Sequence, residues 1–76
     1  MPSAVVLMHC RIGLEHSVLG TLRQIPEVSQ SNIVFGGYDI VATVTADKME
    51  RLKEIVSWKI KKLDGVKTSL ALLSKE

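Results

Sequence analysis

Hydrophobic residues recur along this chain with two periods, and the switches between them mark six elements. Over residues 4–12 Ala4, Val6, Met8, Cys10 and Ile12 share one face while Val5, Leu7, His9 and Arg11 share the other, which predicts a strand. Leu14, Val18, Leu22 and Ile25 then recur at helical spacing, with Glu15, His16, Arg23 and Gln24 elsewhere, which predicts a helix over 14–25. Pro26 closes it, because a proline disfavours helical backbone at the residue before it. Residues 28–36 and 38–46 are β-rich runs hinged at Gly36-Gly37, a dipeptide suited to a tight hairpin. A second helix is predicted over 47–63, with Asp47 as its cap, Glu50 completing a capping box and Gly65 beyond its end. Residues 65–73 form the last strand. The order βαββαβ with right-handed crossovers predicts an α+β, ferredoxin-like fold: a four-stranded antiparallel sheet with both helices on one face.

The same pattern is written twice. At an offset of 38 residues, half of the 76-residue chain, Ala4 matches Ala42, Val6 Val44, Leu14 Leu52, Val18 Val56, Leu22 Ile60 and Val28 Val66. Each half is one strand–helix–strand unit, and the whole is a single domain.

Helices on one side leave the other side of the sheet uncovered. Strand parity assigns Val5, Leu7, Ile33, Phe35, Val41 and Leu73 to that open face, too apolar a set for water, so the face is expected to pair with another copy and make a dimer. On the second helix Met49, Leu52, Val56, Ile60 and Leu63 fall within about 80° of arc, with Ile55 at its edge, while Trp58 lies opposite among Arg51, Glu54 and Lys61. An outward Trp58 is either a lone surface aromatic or a second subunit contact; as a contact it predicts assembly beyond the dimer.

Composition agrees with self-association. Of the 76 residues 46% are hydrophobic, and the single cysteine allows no internal disulfide. A domain of this size hides only roughly 60% of the surface its unfolded chain exposes, so partner copies are the expected support. A net charge of +2 is too balanced for binding nucleic acid by bulk electrostatics. Apolar runs are too short to cross a membrane, and Met1-Pro2-Ser3-Ala4 has no leader character, which predicts a cytoplasmic protein without membrane contact.

Candidate chemistry is sparse. His9 and Cys10 are strand neighbours that point to opposite faces, and His16 lies on a polar helix arc, so no catalytic or metal-binding set is expected and no cofactor. Lys59, Lys61 and Lys62 suit the negative pole of a helix end. Gly36-Gly37-Tyr38-Asp39 is different: bare amides can approach a carboxylate while Asp39 accepts from an ammonium, a pairing that suits a free amino acid. A plain turn with a polar residue beside it is the alternative.

The stretch Ile33-Val34-Phe35-Gly36-Gly37-Tyr38-Asp39-Ile40-Val41-Ala42-Thr43-Val44 resembles the effector-binding domain of Lrp/AsnC transcriptional regulators, as do Lys53-Glu54-Ile55 and Lys62-Leu63-Asp64-Gly65-Val66-Lys67-Thr68. Ile25-Pro26-Glu27-Val28 matches that family's entry to its second strand, so the resemblance spans essentially the whole chain. It implies sheet-to-sheet dimers that join into octameric or related rings, with an amino-acid effector between dimers. Gly36, Gly37, Tyr38 and Asp39 match the family's ligand loop, and Thr68 or Ser69 would supply a hydroxyl from the last strand. Gly37 stands where many members carry a polar residue, and Ala71 where many carry a second hydroxyl. With Met1 directly before the first strand, the chain resembles the stand-alone type without a winged helix-turn-helix. That type implies no direct sequence-specific DNA binding and a possible partnership with full-length Lrp/AsnC regulators. A small enzyme of the dimeric α+β barrel kind, with His9 as its proton-transfer group, is the alternative from another class.

Overall fold

A computed structural model describes residues 1–74 and shows the expected element order: β1 (Ser3–Cys10), α1 (Glu15–Leu22), β2 (Val28–Ile33), β3 (Ile40–Thr45), α2 (Met49–Glu54, continued by a π-helical turn, Ile55–Ile60) and β4 (Val66–Ser74). The strands form one antiparallel sheet in the order β2-β3-β1-β4. Alternation decides what they bury: Ala4, Val6, Met8 and Cys10 from β1 meet Ile40, Ala42 and Val44 from β3 beneath Val18, Leu22, Leu52, Ile55 and Ile60 of the helices. This is the ferredoxin-like arrangement.

Element ends are shorter than the pattern predicts. Ile12 lies beyond β1 and is 99% exposed, because the chain turns at Gly13, whose φ of 85° permits a left-handed bend. The first helix tightens after Leu22 into turns, with Ile25 N–H donating to Leu22 C=O at 3.1 Å. Asp47 does not cap the second helix: Lys48 holds that position in extended backbone, with no side-chain cap. The π-helical turn explains a further difference. Ile55 and Ile60 would stand about 140° apart on an α-helix, but an i→i+5 turn puts them on one face, and both are fully buried. Trp58 is left facing outward, 66% exposed, with Lys62 Nζ 5.1 Å from its ring centroid.

Two β-bulges correct the membership of the open face. Ser29 is an extra residue between the Val28–Val44 and Gln30–Thr43 pairs, and Lys67 is one between Cys10–Val66 and His9–Thr68. One inserted residue reverses side-chain parity for the rest of a strand. Ile33 therefore pairs with buried Ile40 and packs on the core, and Leu73 pairs with buried Ala4, so both turn toward the helices rather than the open face. Phe35 belongs to neither face, since β2 ends at Ile33. The apolar part of the open face is Val5 and Leu7 of β1, Val41 of β3, and Leu70 and Leu72 of β4, which stand opposite Leu7 and Val5.

Candidate functional site

Glycine-rich sequence and strand ends converge at one end of the sheet. Between β2 and β3 the chain makes a six-residue loop, 34–39, instead of a two-residue hairpin. Its ends are tied by Val34 N–H donating to Asp39 C=O at 2.8 Å. Gly36 uses the left-handed freedom of glycine, with φ 111°, whereas Gly37 does not. The loop is pinned to β1 at three points. Asp39 N–H donates to Met8 C=O at 2.9 Å, Cys10 N–H donates to Asp39 Oδ2 at 2.8 Å, and the Tyr38 ring stacks on His9 with centroids 4.5 Å apart. One carboxylate oxygen of Asp39 thus holds the strand end in place, and the other is left for a second donor.

The end of β4 completes this corner. Thr68 stands opposite His9 on the open face and, with Asp39, Lys67, His9 and Cys10, lines a hollow of about 310 Å³. Ser69 stands opposite buried Met8 and is turned to the helix side, so only Thr68 of the two hydroxyls is brought to Asp39. His9 and Cys10 point to opposite faces as expected, the first half-buried and the second buried. Burial, then the charges of Asp39 and Glu15, push the Cys10 thiol above its ordinary value, so it stays protonated and a poor nucleophile. Asp39 also borders a second, larger cleft of about 580 Å³, formed with Glu15 and His16 of α1 and with Ile33, Val34 and Phe35.

Asp39 and Thr68 therefore share one hollow, with Tyr38 held next to it on His9, while Gly36 and Gly37 lie in the loop outside its lining and Ser69 is turned away. Lys67, Glu15 and His16 were not legible as members of this corner. Lys67 comes there through the β4 bulge, and the α1 pair through a tertiary packing that no local pattern records. Leu70 and Leu72 escaped for the same reason as Lys67. Among the described residues no group of His, Cys, Asp and Glu could hold a metal ion, and no helix is long and apolar enough to cross a membrane.

A βαββαβ module carrying a pinned glycine loop beside an open sheet belongs to the class of small ferredoxin-like α+β domains. Within that class, the family model for the Lrp/AsnC ligand binding domain matches residues 3–74, and the chain belongs to this family. Among solved structures it is similar to FFRP-DM1, at 28% identity and a TM-score of 0.93 over 97% of this chain and 99% of that one. It is likewise similar to a protein of Thermus thermophilus, TTHA0845, at 30% identity and a TM-score of 0.91 over 100% of this chain and 95% of that one. The transcriptional regulator NMB0573 from Neisseria meningitidis, solved as a complex with L-Met, shares the fold at 16% identity and a TM-score of 0.84 over 99% of this chain and 50% of that one. No curated protein matches the chain in sequence.

Proposed function

We propose that the chain is an effector-binding regulatory module and not an enzyme. It oligomerises through its open sheet face, takes a small amino acid beside the loop 34–39 at a subunit interface, and modulates transcription indirectly. The observation that carries this reading is the family match over residues 3–74 together with a loop, containing Gly36, Gly37 and Tyr38, whose Asp39 shares a hollow with Thr68. Asp39 keeps an oxygen for an ammonium, and loop amides and Lys67 offer positive charge to a carboxylate. Val5, Leu7, Val41, Leu70 and Leu72 form the dimer contact, a row of aliphatic residues without charge, as a self-pairing two-fold interface requires. Trp58, and Phe35 at the loop tip, serve contacts between dimers, which close a ring of the octamer type. The module reaches DNA through a regulator such as a full-length family member, in the cytoplasm.

The enzyme reading has one observation in its favour, the meeting of His9, Cys10, Asp39 and Lys67 in one hollow. Its proton-transfer candidate is already stacked on Tyr38 and its thiol is buried and protonated, which favours the binding module. A thermal-shift screen of the twenty amino acids with sedimentation of the parent protein tests the proposal. Selective stabilisation by one or a few amino acids, in a protein that sediments as a dimer or larger, is expected, because a ligand of the folded assembly raises its melting point by mass action. A well-folded monomer that no amino acid stabilises refutes it.

A further inference from the structure

The larger cleft beside Asp39 has a chemistry of its own. One wall is apolar: Ile33, turned inward by the β2 bulge, then Val34, then Phe35, which is 99% exposed at the loop tip. The other side is the start of α1, where Glu15 is half-buried and His16 exposed, and Asp39 completes the lining. Both carboxylates line this one cleft, and no cation is paired with either among the described residues. Two unpaired carboxylates facing an aliphatic and aromatic wall are complementary to a primary ammonium carried on an apolar chain.

Resting on the reading that the loop 34–39 takes an amino acid, we infer that the cleft between α1 and this loop seats an amino acid with an apolar side chain. Its ammonium lies between Glu15 and Asp39, and its side chain lies on Ile33, Val34 and Phe35. Glu15 is then a specificity-determining residue, because it adds a second carboxylate to an Asp39 already half engaged by the Cys10 N–H. Small polar amino acids leave the apolar wall wet, and acidic ones meet like charge from Glu15 and Asp39.

Calorimetric titration of the full chain separates the possibilities. The ligands are L-leucine, L-methionine and L-phenylalanine against L-serine and L-aspartate, with 4-methylpentanoate as the leucine analogue that lacks the ammonium and L-leucinamide as the one that lacks the carboxylate. Saturable binding of at least one apolar amino acid is expected, none of 4-methylpentanoate, and about a tenfold loss in Glu15→Gln, the worth of one charge-assisted contact. Leucinamide binding as tightly as leucine would assign the cleft to peptide amino termini and overturn the inference. Binding confined to serine or aspartate, or abolished by Thr68→Ala while untouched by Glu15→Gln, overturns it too and leaves the regulatory module standing, with its ligand on the β4 side. No binding by any amino acid overturns both. Far-ultraviolet circular dichroism of Glu15→Gln guards against misfolding, and Val34→Ser, which thins the apolar wall without touching either carboxylate, is expected to weaken leucine at least as much as it weakens serine.

Discussion

Gly65 offers the sharpest test of how this corner is built. Its φ of 95° lies where side chains other than glycine are strained, and a Cβ there would stand 2.8 Å from Val18 Cγ2 and 3.3 Å from Leu14 Cβ. Its carbonyl also accepts from Arg11 N–H at 2.8 Å, tying the β1–α1 turn to the start of β4. The left-handed conformation costs about 1–2 kcal/mol for alanine. Crowding a fully buried Val18 adds about 1–3 kcal/mol, because the neighbours are packed side chains rather than free ends. Gly65→Ala is therefore expected to lose roughly 2–5 kcal/mol, a fall of about 8–40 °C in Tm at about 4–8 °C per kcal/mol for a domain of this size. Gly13 and Gly20 separate the two causes. Gly13 has a φ of 85° and nothing within 4 Å of its Cβ position, so Gly13→Ala carries only the conformational cost of about 1–2 kcal/mol. Gly20 sits in α1 with ordinary helical backbone and open space, so Gly20→Ala is expected to stabilise by about 0.5–1 kcal/mol. Urea unfolding of all three at one protein concentration is the assay. A Gly65→Ala variant no less stable than Gly13→Ala would refute the close approach of α1 to the β4 entry.

Other substitutions probe the faces and charges. Leu7→Asp, placing a charge amid Val5, Val41 and Leu70, is expected to shift sedimentation to the monomer with its circular dichroism retained; an unchanged oligomer would free the open face of its assigned role. Deleting Lys67 removes the β4 bulge and turns Leu70 and Leu72 toward the helices, so it should cost both stability and association, which unfolding and sedimentation together measure. Glu27 is held below the ordinary carboxylate range by its own backbone N–H and by Arg51, 3.0 Å away. Its contribution is present above the unfolded carboxylate pKa and is lost as pH falls through the lowered folded value, so Glu27→Gln should flatten the acid limb of the stability curve. The Cys10 thiol, raised by burial and then by Asp39 and Glu15, favours the folded state less as pH rises past the ordinary thiol value toward its own, because the unfolded chain ionises first. Alkylation by iodoacetamide at pH 8 should accordingly be slow in the native protein and fast in urea.

The element order, the helix-covered core and the position of the glycine loop were legible in the chain, because each rests on a local period or a breaker. The open face was legible only in part. Val5, Leu7 and Val41 follow simple alternation, but Ile33 and Leu73 lie beyond Ser29 and Lys67, two bulge residues each set between a valine and a polar residue, as an ordinary strand position would be. Likewise nothing in Ile55-Val56-Ser57-Trp58-Lys59-Ile60 announces a π-helical turn; it follows from the burial of both Ile55 and Ile60 against the sheet. Of the loop, Asp39, which shares a hollow with Thr68, was readable from the order of residues, while Glu15 and His16 reach Asp39 only through the packing of α1.

The regulatory reading stands most directly on Asp39, and calorimetric titration of the amino acid that gives the largest thermal shift into parent, His9→Ala and Asp39→Ala protein measures it. Saturable binding by the parent, retained without His9 and lost without Asp39, is the predicted result, with Asp39→Asn checking that the Cys10 N–H still finds an acceptor and the fold is intact. Binding that survives Asp39→Ala unchanged, or that disappears with His9 alone, would contradict it.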